Sequence, residues 1–163
     1  MRYTKEIPTK KLYHIYKPHL KAIYEKYHRH DGNPMLWKNT PLTIFSSEYL
    51  RLGKNILKVL DEQPFIRCEY ERYFNNENVK NDTHKYIAAQ RVMDIVDSIQ
   101  EHGYLLGKYK KRKGSFKYKI RVRKGFVSPY GSDPNGYSLV SRKHRAAACV
   151  ALGMKKVKVL VCG

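Results

Sequence analysis

The segment Tyr137-Ser-Leu-Val-Ser-Arg-Lys-His-Arg-Ala-Ala-Ala-Cys-Val-Ala-Leu-Gly153 constrains the fold of this 163-residue chain more than any other. A strand-like stretch, Tyr137-Ser-Leu-Val, runs directly into Ser141, a natural helix N-cap, and an alanine-rich run follows as far as Gly153. Alanine is the strongest helix former, and its small side chain lets a helix lie close to a sheet. The pattern predicts a strand followed at once by a helix over 142–152. Val157, Val159 and Val161 then predict a closing strand.

Upstream, Phe116, Tyr118, Ile120 and Val122 alternate with Lys117, Lys119, Arg121 and Arg123. Successive strand side chains point to opposite faces, so a strand here has an apolar inner face and a basic outer one. A Gly/Ser/Asp/Pro/Asn/Gly turn over 131–136 joins it to the next strand. A long helix is predicted over 83–102, capped by Asp82 or Thr83, with Ala88, Val92, Ile95 and Ile99 on one face and Gly103 as its left-handed terminator. Residues 65–74 fit neither period, 75–83 form a polar loop, and the basic run 108–113 is an exposed loop. Pro8, Pro18, Pro34 and Pro41 divide the first 45 residues. A short helix over 20–30 places Leu20, Ile23, Tyr24 and Tyr27 on one face, and a second helix, capped by Ser47, continues past Gly53 to about residue 60.

The chain carries a net charge of +19, unevenly spread. From Gly103 onward there are sixteen Lys and Arg against one acid, Asp133. A half so basic points to a polyanionic partner, although charge alone does not separate nucleic acid from anionic lipid or nucleotide. Cys68, Cys149 and Cys162 are far apart and odd in number, which fits neither a disulfide framework nor a zinc knuckle. No apolar run reaches membrane-spanning length, and Met1-Arg-Tyr-Thr-Lys-Glu lacks the apolar core of a secretory signal, so a cytoplasmic location is expected.

The predicted final helix breaks a rule at its start. Free N–H groups place about half a positive charge there, which favours acids in the first turn. This helix instead begins Arg142-Lys-His-Arg145. Like charges there oppose folding by about 1 kcal/mol in all, and a bound anion reverses the sign. Ser141, Arg142, Lys143, His144 and Arg145 are therefore candidate phosphate-binding residues. The alternative is that the cations simply point into water.

Several pieces in order resemble the ParB/sulfiredoxin superfamily. They are Ser98-Ile-Gln-Glu-His-Gly103, the strand 119–123, Tyr137 to Ala148 with the His144-Arg145 pair, Leu152-Gly153, and the closing strand 157–161. Together they span a little under half of the chain. The resemblance implies an α+β fold: a small mixed sheet with packed helices over 65–163, preceded by a mainly helical region over 1–64. It also implies a nucleotide or phosphate pocket, with a nucleoside triphosphate (ATP or CTP) and Mg as cofactors. Two departures narrow this. The family's Asp-Gly is Ser141-Arg142 here, which removes the easiest backbone approach to phosphate. The reactive cysteine of sulfiredoxins is Lys143 here, which argues against sulfinic-acid repair, and Cys149 belongs to the core. The long Glu-Arg-Arg pattern and further DNA-binding helices of chromosome-partition ParB proteins are also missing.

The resemblance leaves the reaction open between nucleotide hydrolysis, nuclease chemistry and phosphotransfer. Phosphoryl transfer needs cations on the phosphates and a carboxylate at the acceptor. Glu69, Glu71 and His144 are the candidate catalytic residues, with Asp133 a turn former rather than an acid. Glu69 and Glu71 could equally pair with Arg67 and Arg72. Lys117, Lys119, Arg121 and Arg123 form the candidate nucleic-acid row, since a strand holds four cations in line. His28-Arg-His30-Asp31 could offer metal ligands but lacks a third partner at a recognised spacing. Three functions follow: a nucleotide-binding domain with a basic surface for DNA or RNA, an ATP-dependent small-molecule or sugar kinase, and a scaffold on a polyanion without a nucleotide pocket.

Overall fold

The computed structural model describes residues 2–63, 65, 82–104 and 119–163. The expected segments around Glu69, Glu71, Lys117 and the 108–113 run lie outside the described residues.

A mixed five-stranded sheet organises the chain, as an α+β fold requires. Its strands are β1 (Arg2–Pro8), β2 (Leu12–Tyr13), β3 (Ile120–Phe126), β4 (Asp133–Ser141) and β5 (Lys156–Cys162), in the order β1-β5-β3-β4-β2. β1 is antiparallel to β5, β5 parallel to β3, β3 antiparallel to β4, and β2 parallel to β4. Among the described residues five α-helices accompany it: α1 (Lys21–Tyr27), α2 (Pro41–Arg51), α3 (Ile56–Glu62), α4 (Asp82–His102) and α5 (Lys143–Ala151). No described helix is long and apolar enough to cross a membrane.

The valine alternation of β5 explains the main core. Val157, Val159 and Val161 face the same side as Ile7 of β1 and Ile120 and Val122 of β3, and all six are buried. Ala146, Ala147, Ala148 and Cys149 of α5 pack into the same core, together with Phe45 of α2 and Met93 and Val96 of α4. The small side chains of α5 permit this close approach, as predicted. Burial pushes the Cys149 thiol up to about 12, in keeping with an inert core residue.

Successive residues of β2 point to opposite faces. Leu12 enters the main core, while Tyr13 joins a second cluster with Leu20, Tyr24, Met35 and Phe126 on the other side of the sheet. There the Tyr13 and Phe126 rings stack 4.1 Å apart. A Cβ at Gly136 would stand 2.6 Å from the Tyr13 ring, so β2 docks only because that position has no side chain.

The N-terminal part is mainly helical but not wholly so. It supplies two strands besides its three helices, so the sheet draws on both sides of the expected 64/65 boundary. Helix α1 is shorter than the expected 20–30, although Leu20 and Tyr24 are buried as foreseen. The expected helix from Ser47 to residue 60 is in fact two. Thr40 occupies the N-cap of α2 with Pro41 at the first position, and Ser47 is an exposed mid-helix residue. Gly53 and Lys54 then take positive φ, and Asn55 starts α3 by accepting from the Lys58 N–H at 3.2 Å. In α4 the buried face is centred on Ala89, Val92, Met93 and Val96, and Gly103 terminates it at φ 84 as expected.

Candidate functional site

The expected helix-start cluster is dispersed by helical geometry. Ser141 is the last residue of β4 and does not cap the helix; Arg142 occupies the N-cap with φ 67 and ψ 44, a left-handed conformation, and makes no side-chain cap bond. A non-glycine residue held there costs about 1–2 kcal/mol. Ser141 Oγ is buried without a hydrogen-bond partner among the described residues. Lys143 and Arg145 are two residues apart on the helix, so they diverge by about 200°. Arg145 is buried near Tyr104 and Cys149; burial raises the pKa of both groups, and the Arg145 charge offsets a part of that rise. Tyr104 in turn accepts the Ile120 N–H at 2.7 Å. Lys143 instead lies toward His14 and disfavours its charged form. His144 is half-buried and Arg142 exposed. Arg145 is therefore built into the protein, while Ser141, Arg142 and Lys143 remain around the turn.

Beside this turn lies a buried group that has no period or motif in the sequence. His14 stacks on Trp37 at 5.6 Å and meets His28 edge-on at 5.8 Å. Each imidazole donates Nδ1–H to a carbonyl, His14 to Ile15 and His28 to Pro34, both at 2.7 Å. Burial is the main reason that both titrate low, His14 at about 3 and His28 at about 4. The weakly indicated metal ligands are thus committed elsewhere. His28 is internal, His30 lies against the Glu25 carbonyl, and Asp31 pairs with Lys38. Among the described residues no group of three His, Cys, Asp or Glu could hold a metal ion.

Asp133 is structural, as its turn position suggested. It accepts from Lys11 at 2.9 Å, Tyr13 at 3.0 Å and the Asn135 N–H at 3.0 Å, and the Lys11 bond heads the causes that hold its carboxyl below the usual range.

The basic row fares differently. Arg121 and Arg123 face away from the main core, as the alternation predicted, and Lys119 reaches Thr4 Oγ1 at 3.1 Å on the same side. The strand register adds what the sequence did not reveal. Arg121 is level with Leu160, which is level with Thr4; Arg123 is level with Cys162, which is level with Arg2. Lys156 and Lys158 share this face by alternation along β5. Five cations of three adjacent strands (Arg2, Arg121, Arg123, Lys156 and Lys158) therefore stand on one face, Lys119 joins them from just before β3, and Glu6 is the only acid in those strands. A cavity of about 440 Å³ opens there, lined by Arg2, Tyr3, Thr4, Arg121 and Leu160. A second cavity, of about 450 Å³, lies at the β3–β4 turn around Phe126, Val127 and Pro134. Lys117, Glu69 and Glu71 lie outside the described residues.

Fold and surface together define an α+β protein with a mixed sheet, with α2, α4 and α5 on one face and α1 and a basic stretch on the other. Comparison with protein-family models, curated proteins and solved structures finds no match to this chain.

Proposed function

We propose that the chain binds nucleic acid, DNA or RNA, through its phosphate backbone on the basic face of β1, β5 and β3. One observation carries this reading: five cations from three hydrogen-bonded strands, with Lys119 just before β3, share that face with a single acid. Hydrogen bonding fixes their spacing before any ligand arrives, so little ordering entropy is lost on binding. Each phosphate neutralised releases counterions and makes affinity fall with salt. The test is fluorescence anisotropy with labelled DNA and RNA across a salt series. Arg123→Gln and Lys158→Gln change exposed residues, so the fold should tolerate both. Each is expected to flatten the log–log salt slope by about 1. Failure of the wild type to bind either polymer at low salt, with capture by phosphatidylserine vesicles instead, would overturn the reading.

A second reading keeps a nucleoside triphosphate, ATP or CTP with Mg, at the β4–α5 turn. It is favoured by the left-handed Arg142, which sits where the ParB/sulfiredoxin pattern has glycine. Ser141, Arg142 and Lys143 would then hold phosphates, with His144 beside them. Arg142→Gly is expected to raise the midpoint of unfolding of the free protein by relieving about 1 kcal/mol of strain. The same variant should lose the thermal shift that Mg-ATP or Mg-CTP gives the wild type. If no nucleotide shifts the wild type, this second site is abandoned. An ATP-dependent small-molecule or sugar kinase would further need Glu69 or Glu71 at the acceptor, and both lie outside the described residues.

A further inference from the structure

The cavity on the basic face gathers positive charge without a matching acid. Arg2, Thr4, Leu160 and Arg121 line it from one side of the sheet, because Thr4 is level with Leu160 and Leu160 with Arg121. Tyr3 lies between Arg2 and Thr4 in the chain but is level with Val161, so its ring turns to the other face. Leu160, 4% exposed, closes the cavity toward the sheet. Lys119 joins from just before β3 and donates to the Thr4 hydroxyl at 3.1 Å. Three cations therefore converge on one concavity. Elsewhere Lys11, Lys38, Arg51 and Lys54 each pair with a carboxylate. Among the described residues neither Arg2 nor Arg121 does, and no acid lines the cavity. Glu6 is level with Lys158, one step further along β1. Arg121 Nε is buried without a hydrogen-bond partner among the described residues, so no bond through that atom fixes the guanidinium. Ser141 Oγ, level with Arg121 across β3 and β4, is in the same condition.

Charge decides what fits. An internal phosphodiester brings one negative charge, and its two ester links must both run out of any cavity that holds it. A phosphate monoester carries about −1.5 to −2 charges at pH 7 and offers three strong acceptor oxygens. Three cations and a hydroxyl around about 440 Å³ match the monoester. We infer that the cavity takes a phosphate monoester, presented by the phosphorylated end of a nucleic acid or by a small phosphoester. For the first source the inference rests on the nucleic-acid reading; for the second it rests on the cavity alone.

The test uses the full chain at constant ionic strength and titrates methyl phosphate against dimethyl phosphate, read as the midpoint of thermal unfolding. Methyl phosphate should act at a concentration at least about tenfold lower than dimethyl phosphate. Arg121→Gln should lose that response, and so should Thr4→Val, a change at an exposed position that keeps the strand-forming shape. Lys156→Gln, four residues along β5 from Leu160 and so about 13 Å away, should keep it. A second arm compares an oligonucleotide phosphorylated at both ends with its hydroxyl-ended form by fluorescence anisotropy. A preference of at least about threefold for the phosphorylated form, lost in Arg121→Gln and kept in Lys156→Gln, assigns the cavity to nucleic-acid ends. A methyl phosphate response without that preference assigns it to a small phosphoester. Equal responses to the two esters, or a response that survives Arg121→Gln, would overturn the monoester site and leave the nucleic-acid reading to its own salt series. A methyl phosphate response in a protein that binds no nucleic acid would remove that reading and leave the monoester site standing.

Discussion

His14 and His28 are internal aromatic residues of the cluster around Trp37, and each is held in its neutral form by desolvation. Lys143 and Lys17 add to that pressure on His14, and His30 on His28. Both folded-state values, about 3 and about 4, lie below the roughly 6.5 of an unfolded histidine. Protons therefore bind the unfolded chain first as pH falls. The stability that neutral burial confers is complete above about pH 6.5 and drains away toward pH 4, at up to about 1.4 kcal/mol per pH unit for each ring. Urea denaturation at pH 7.5 and pH 5.0 should show a loss of about 2–4 kcal/mol between the two. A flat profile would mean that the rings are charged or wet. Nothing in the sequence marked this pair, because both histidines sit in irregular chain where no period identifies the buried face. Arg142 was similarly opaque. Its side chain reads as one more surface cation, and only the backbone angle distinguishes it.

Strand β1 shows how an element can be held by very little. Five of its seven residues are exposed, Pro8 is half-buried, and Ile7 alone is fully buried. Ile7→Ala is expected to cost about 2–4 kcal/mol, read as a lower urea midpoint, because it opens a cavity where β1 meets β5. A loss below about 1 kcal/mol would mean that β1 is not anchored through this side chain. The same pattern explains why sequence periodicity missed the strand: Arg2-Tyr-Thr-Lys-Glu-Ile-Pro shows one apolar anchor and no alternation. β4, α5 and β5 were legible because their valines and alanines face a common core. The start of α2 lies upstream of Ser47 because Pro41 suits the first helical position, while the Thr40 hydroxyl is taken by the Trp37 carbonyl. Of the site, Arg121 and Arg123 could be placed from alternation alone, whereas Arg2 could be added only once the register across β5 was known.

At the scale of the molecule, the sheet separates two environments. Its inner face is apolar and packed by α2, α4 and α5, and the opposite face is shared between the Tyr13–Phe126 cluster and the basic stretch of β1, β5 and β3. The net charge of +19 is thus partly organised into one surface rather than spread as a solubilising coat. The strand order carries a last consequence. β1 and β2 end the sheet, and each border guards itself differently: β2 is only two residues long, and β1 carries Arg2, Lys5 and Glu6 along exposed backbone. A second copy approaching β1 edge to edge would bring cations against cations, so runaway strand addition between copies is discouraged by the same side chains that attract a polyanion.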